Sequence, residues 1–366
     1  MKITIATGIY PPDIGGPATY SKTLFDELPK RGIETEVVSF GEVRHLPKGI
    51  SHISYFFKLL RRVSNSDLIF AQDPVSVGLP ALLVAVFLRK KFILKIVGDY
   101  AWEQGTTRYF VTTPLDDFSK EHRGYPFFIR FLKLIQALVA RGADRIIVPS
   151  KYLKKIVSNW GVSKEKIFVV YNSFDHNDKI FKESAPSPAD EKIIVSVGRL
   201  VPWKGFITLI SIIPRLIKHF PGIKLIIAGD GPERRNIENA VRNIGLESNI
   251  FLTGGLLKEK LFKYIKSADV FVLNTSYEGF SHQLLEVMAL GTPIITTTAG
   301  GNSEIIKNEE NGILVAPDDR GALQKAIERI LVDEELAKKF SIAGKKTVSF
   351  FTIERMINET IKVLSI

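Results

Sequence analysis

YEGFSHQLLEVMALGTPIITTTAGG, residues 277–301, is the stretch from which the fold can be read. Ahead of it, VFVLNT at 270–275 is an apolar run of the kind that fills a strand buried on both faces. Gly279 then allows a sharp turn, and Ser281 stands where a hydroxyl can cap a helix running to about Leu290. A second apolar run at 294–297 follows. Strand, turn, helix and strand in that order make one unit of a parallel sheet. Glu278 falls on the turn and Glu286 in the second turn of the helix, with seven residues between them. Both carboxylates can therefore face one crevice at the carboxyl edge of the sheet, where open α/β sheets bind ligands.

The same alternation runs outward from this unit. Short β-branched or apolar runs at 3–7, 35–40, 68–71, 92–97, 145–148 and 167–170 are separated by helical periodicity, which predicts a parallel sheet with helices on both faces. From about Ser173 to Glu191 the periodicity lapses into a polar stretch that includes SAPSPADEK, the composition of a linker. Runs at 193–197, 225–228, 250–252, 270–273 and 294–297 then predict a second parallel sheet, and 321–331 and 335–366 read as helical. The expected fold class is α/β, with two Rossmann-like domains facing each other across a cleft. The first spans 1–175, the linker 176–191 and the second 192–345, and 346–366 form a helix returning to the first domain.

Composition narrows what such a fold can be. The chain has 366 residues, of which 45% are hydrophobic and 24% charged, ample for two cores. With no cysteine it holds no disulfide framework or thiolate metal site, and a reducing compartment, the cytoplasm, is expected. MKITIATG reads as a first strand rather than a secretory leader, because Pro11, Pro12, Gly15 and Gly16 follow at once. The apolar run 75–88 contains Pro80, ends in Arg89, Lys90 and Lys91, and is too short to span a bilayer. Residues 1–180 carry 26 Lys and Arg against 17 Asp and Glu, a net of +9 out of the chain's +11. Such a basic half suits phosphate-rich partners or an anionic membrane surface as well as a merely soluble face. ISYFFKLLRRV at 53–63 and PFFIRFLKLIQALVA at 126–140 combine Phe-rich content with Lys58, Arg61, Arg62, Arg130 and Lys133, with Arg141 close by. They are either core helices or basic amphipathic segments at a bilayer interface, and a stripe wider than the core needs would expose Phe56, Phe57 or Phe128.

Phosphate chemistry belongs at the strand ends that open each domain. After the first strand, Gly15 and Gly16 precede a helix, where backbone N–H groups can approach an anion; the same turn would equally serve chain reversal. After the first strand of the second domain, VGRLVPWKGF sets Arg199 and Lys204 at a strand-to-helix turn, a natural clamp for a diphosphate.

These residues carry a family resemblance. Val197–Arg199 with its Gly-Arg pair, the WKG at 203–205, the AGDGPE at 228–233 and the EGFSHQLLE at 278–286 resemble the signature set of retaining, nucleotide-sugar-dependent glycosyltransferases. This is the GT-B, family 4 or group 1 type, which includes bacterial α-mannosyltransferases and sucrose synthase-like enzymes. The resemblance extends over nearly the whole chain and implies roles residue by residue. Arg199 and Lys204 would neutralise the donor diphosphate, Glu278 would contact the donor sugar and Glu286 would hold the ribose hydroxyls. The backbone at Gly279, Phe280 and Ser281 would approach the sugar or phosphate, and the Gly15-Gly16 loop would close over the diphosphate. A ribose diol suits a carboxylate acceptor, and a departing diphosphate suits positive charge. The implied reaction moves a hexosyl or related sugar from a nucleoside diphosphate to an acceptor hydroxyl with retention, in polysaccharide, glycolipid or other cell-surface glycan assembly.

The expected acceptor is a glycan or a lipid-linked glycan lying against the basic first domain, peripheral to the cytoplasmic face of the membrane; no nucleic acid is expected as a partner. No cofactor is implied beyond the nucleotide sugar as co-substrate. No metal is implied either, since Asp-x-Asp spacing is absent and Asp13, Asp116, Asp117, Asp318 and Asp319 read as turn and cap residues. One departure from the family pattern falls after the fourth strand, in KFILKIVGDYAWEQ, where many relatives carry a histidine and this chain has Gly98 and Asp99. Asp99 is a candidate catalytic contact to an acceptor or donor hydroxyl, or else a helix cap, and Glu103 is a second candidate for acceptor contact. His282 lies in the donor-side helix and would reach the donor or the surface. Three rival readings stay open. A nicotinamide dehydrogenase would need a GxGxxG turn that neither sheet supplies. A sugar-nucleotide epimerase shares the architecture, and loss of the histidine would suit a donor-binding but inactive subunit of a transferase complex.

Overall fold

Short runs of Ile, Val, Leu and Phe pair into two sheets of six parallel strands each. The computed structural model describes residues 1–13, 15–47, 49–121, 123–174 and 191–365. Apart from Glu191, the expected linker 176–191 lies outside the described residues. Two compact units emerge, one made of 1–172 and 353–366, the other of 173–352.

In the first unit β1 (Lys2–Thr7), β2 (Glu34–Ser39), β3 (Leu68–Ala71), β4 (Lys91–Lys95), β5 (Arg145–Val148) and β6 (Ile167–Val169) lie in the order β2-β1-β3-β4-β5-β6. The central strands are buried on both faces, as expected of a parallel sheet covered by helices. One cover is the last helix, Ile353–Ser365, whose Met356, Ile357, Val363 and Leu364 join Ile3, Ile5, Phe70 and Ile147 in a single core. Tyr20 Oη lies 3.3 Å from Thr360 Oγ1, and the Arg145 guanidinium donates to the Val363 carbonyl at 3.0 Å.

The helices Ile50–Val63 and Phe127–Gly142 each have a core face, carrying Tyr55, Leu59 and Val63 in one and Ile129, Leu132 and Val139 in the other. Each also carries apolar residues on its open side. Phe57 is 54% exposed and Phe128 42%, while Phe56 is half-buried. The core reading holds for one face of each helix, and the apolar stripe is wider than the core needs, leaving Phe57 and Phe128 exposed. The run 75–88 contributes the helix Gly78–Leu88, and no helix among the described residues is long and apolar enough to cross a membrane.

In the second unit β7 (Ile193–Val197), β8 (Lys224–Ala228), β9 (Ile250–Gly254), β10 (Val270–Leu273), β11 (Ile294–Thr297) and β12 (Ile313–Val315) lie in the order β12-β11-β10-β7-β8-β9. The edge strand β12 is absent from the pattern read in the sequence. Its three residues sit between Gly312 and Pro317, too short a run for alternation to show. The long C-terminal helical stretch divides into Glu334–Val348 and Ile353–Ser365, with the bend at Ser349 to Thr352.

Candidate functional site

In the second sheet β8 lies on one side of β7 and β10 on the other, so the chain leaves these two neighbouring strands in opposite directions. Connections that diverge in this way leave a crevice at the carboxyl ends. The sequence-predicted cations and Glu278 belong to the two loops that border it.

After β7, Gly198 N–H donates to the Ala228 carbonyl at 3.0 Å, and Arg199 follows, exposed and without a hydrogen bond or ion pair to any described residue. The AGDGPE segment holds this loop: Leu200 N–H donates to Asp230 O at 2.9 Å and Glu233 N–H to Leu200 O at 3.0 Å. A single turn, Pro202–Lys204, then leads through Gly205 into the helix Phe206–His219. Gly205 adopts φ +61°, and a Cβ there would lie 2.0 Å from the Asn274 carbonyl oxygen.

After β10, Asn274, Thr275 and Ser276 bind back to this turn. Asn274 Nδ2 donates to Gly205 O at 3.2 Å, Thr275 Oγ1 to Trp203 O at 3.0 Å, and Ser276 N–H to Trp203 O at 2.8 Å. The stitched loops bring Lys204 Nζ to 2.6 Å from Glu278 Oε2, with side chains only 12% and 18% exposed. Two of the residues read from the sequence are thus one ion pair at the crevice. Glu278 is fixed from behind as well: its carbonyl accepts Gly301 N–H at 2.8 Å, and a Cβ on Gly300 would lie 1.9 Å from that carbonyl oxygen.

Ser281 caps the helix His282–Leu290, its Oγ accepting Leu284 N–H at 3.3 Å. Phe280 is buried against Phe351, with ring centroids 5.5 Å apart. Glu286 and His282 are half-buried on that helix. Sequence reasoning assigned no role to Asn274, Thr275, Ser276 or Gly300. The polar run that ends β10 and the paired glycines ending the 277–301 stretch were the available signals.

The remaining candidates lie in the first unit. Gly15, at φ +152°, precedes the helix Gly16–Glu27, which begins with no side-chain cap and so leaves early backbone N–H groups for another acceptor. Asp99 is fully buried and caps the helix Tyr100–Arg108. Its Oδ1 accepts Trp102 N–H at 2.9 Å and Gln136 Nε2–H at 2.9 Å, and its Oδ2 has no partner among the described residues. Burial pushes this carboxyl above the usual carboxylate range, against the pull of Trp102 N–H, Gln136 and the nearby Lys133. Burial likewise lowers the Lys133 ammonium to about 8. Glu103 is half-buried on the same helix as Trp102.

Chemically, this crevice of the second unit offers the Arg199 guanidinium, unpaired among the described residues, a lysine paired to a glutamate, and rigid backbone at a switch point, a set suited to a ligand with both anionic and hydroxyl groups. Comparison with known proteins agrees with this inventory. Residues 14–178 match the model of the family described as Glycosyltransferase Family 4, and residues 177–347 match that of Glycosyl transferases group 1. An uncharacterized glycosyltransferase of Methanocaldococcus jannaschii is 29% identical over 100% of this chain and 98% of its own length. A Campylobacter jejuni N-acetylgalactosamine-N,N'-diacetylbacillosaminyl-diphospho-undecaprenol 4-alpha-N-acetylgalactosaminyltransferase is 27% identical over 63% of each chain. Among solved structures, Anabaena HepE in complex with UDP-glucose superposes with a TM-score of 0.76 at 18% identity, covering 100% of this chain and 99% of that one, a likeness of fold.

Proposed function

The chain belongs to the group 1 glycosyltransferases of GT-B fold, and from that premise we propose that it transfers a sugar from a nucleoside diphosphate to an acceptor hydroxyl with retention at the anomeric carbon. The observation that carries the reading is the Lys204–Glu278 pair at the switch point of the second sheet, with Arg199, unpaired among the described residues, at the end of the neighbouring strand. In this proposal the donor diphosphate takes Arg199 and Lys204, drawing Lys204 from Glu278, which then accepts from hydroxyls of the donor sugar. Glu286 accepts from the ribose diol, and the N–H groups of Gly279 and Ser281 approach the sugar or phosphate. The bond from the anomeric carbon to the diphosphate breaks, the acceptor oxygen bonds to that carbon on the same face, and the acceptor proton passes to the leaving diphosphate. The cations matter most as charge builds on that leaving group. In the first unit, the uncapped start of the Gly16–Glu27 helix is a proposed phosphate contact. Asp99, being buried, enters as a positioning residue that fixes the helix Tyr100–Arg108.

The relative from Campylobacter suggests a lipid-linked acceptor, and the exposed Phe-rich helices of the first unit would then rest on an anionic membrane surface. The test starts from a screen of nucleoside diphosphate sugars for thermal stabilisation, with UDP-hexoses first. The stabilising donor is next supplied with lipid-linked and soluble acceptors, and the anomer of the product is read by nuclear magnetic resonance. Donor-dependent transfer with the donor's own anomeric configuration, lost in Glu278→Ala, is expected. An inverted product refutes retention, and donor binding without transfer across the acceptor panel refutes the transferase in favour of an inactive subunit.

A further inference from the structure

A groove of about 820 Å³ runs through the first unit, within the range of about 300–1,000 Å³ common to sites that enclose a small ligand. Its walls come from four helices, Ile50–Val63, Gly78–Leu88, Tyr100–Arg108 and Phe127–Gly142. Its place is set by the sheet. Phe40 follows β2, Val75 and Ser76 follow β3, and Tyr100 follows β4, so three consecutive strand ends deliver residues to it at the carboxyl edge. The lining is mostly hydrocarbon and aromatic, and Phe57, Leu83 and Phe131 stay about half exposed. An apolar lining left open to water is costly unless something covers it.

Charge decides what covers it. Of the seven Lys and Arg side chains on the four helices only Arg108 lines the groove, while Lys58 and Arg62 pair with Glu42 and Glu36 and Arg141 donates to the Trp160 carbonyl. Arg108 lies in the groove wall and makes no hydrogen bond or ion pair with any described residue. A guanidinium fork in a lining that is mostly apolar, with His52, Ser76 and Gln104 as its other polar side chains besides the Tyr100 hydroxyl, matches an anionic phosphate at the end of a hydrocarbon chain better than a neutral lipid or a polar glycan.

We infer that the groove holds one hydrocarbon chain of a lipid phosphate, with Arg108 pairing the phosphate, and so selects acceptors carried on a single-chain lipid phosphate or diphosphate. The claim that the occupant is the acceptor rests on the transferase reading above; the binding itself does not.

The test is calorimetric titration of the full chain with farnesyl phosphate below its micelle concentration, with farnesol, inorganic phosphate and anionic vesicles as separate arms. Saturable binding of one farnesyl phosphate per chain is expected, with farnesol weaker and inorganic phosphate unmeasured at the same concentration. Arg108→Gln should weaken farnesyl phosphate by about ten- to a hundredfold and leave farnesol unchanged. Leu83→Trp, at an exposed rim position that does not put folding at stake, should weaken both lipids while leaving vesicle binding and donor-induced stabilisation as in the wild type. Binding that never saturates, that ignores Leu83→Trp, or that matches inorganic phosphate overturns the groove. The two readings fail separately. A chain that transfers to a soluble acceptor but does not bind farnesyl phosphate loses the groove alone. One that binds farnesyl phosphate through Arg108 but transfers to nothing keeps the groove and loses the transferase.

Discussion

Lys204 is the side chain on which the proposed donor site turns. Its ammonium, 2.6 Å from Glu278, is already oriented at the crevice, so a diphosphate has only to exchange partners with it. Replacing Lys204 by Met should lower turnover by roughly 10²–10³-fold, as expected when one preorganised group for developing charge is removed. The thermal stabilisation given by a nucleoside diphosphate should fall with it, and stabilisation of Lys204→Met equal to that of the wild type would remove the residue from the diphosphate site. Lys95 shows how differently a buried cation behaves. It is 1% exposed, its ammonium sits 3.0 Å from the centroid of the Tyr20 ring, and it donates to Asn172 Oδ1 at 3.5 Å. Burial holds its pKa well below the usual lysine range. Because the unfolded chain then binds a proton that the folded chain does not, stability rises with pH from the folded pKa up to the ordinary lysine value of about 10.4, and is lost going down. Lys95→Met should therefore be more stable than the wild type at neutral pH, by about 1.4 kcal/mol for each unit of depression. The advantage should shrink as the pH is raised toward 10, and denaturation midpoints across that range that keep a constant difference would refute the assignment.

At the scale of elements, the crevice depends on two loops held at backbone distance. Gly205 lies against Asn274, so Gly205→Ala combines a left-handed backbone, worth about 1–2 kcal/mol, with a direct clash. Gly245, at φ +67° with nothing near its would-be Cβ, supplies the control that carries the backbone term alone. Chemical denaturation should show Gly205→Ala as the more destabilised of the two, with weaker donor binding as well. Equal losses would mean that the loop–loop contact does not constrain the site. These contacts also explain what could be read before any coordinates. Arg199, Lys204 and Glu278 sit within a few residues of strand ends, so the periodicity that locates β7 and β10 locates them too. The three-residue β12 has no such periodicity. Asp99 looks open in KFILKIVGDYAWEQ, yet Gln136, 37 residues on, closes over it. The groove is equally hidden, because its walls come from helices between residues 50 and 142 whose apolar residues look like ordinary core until their exposure is known.

The molecule as a whole divides its chain unequally between its two cores. The first unit uses 1–172 and then reclaims 353–366 after the entire second unit has been made. Its core is completed by the returning helix, with Ile357 fully buried and Met356, Val363 and Leu364 nearly so. Each such side chain contributes about 1.5–3 kcal/mol of burial, so four of them rival the net stability of a domain, about 5–15 kcal/mol. The second unit has its own core, built from Ile194, Leu209, Leu225 and Val270 among others, with no residue from that helix. Removing 353–366 should therefore abolish the unfolding transition of the first unit and spare that of the second. Calorimetry can assign the two, because a nucleoside diphosphate should raise only the transition of the unit that carries Arg199 and Lys204. A truncated chain that retains both transitions would show the returning helix to be dispensable to the first core. One that loses both would show that the second unit cannot fold without the first, and that its proposed donor site is a property of the whole chain.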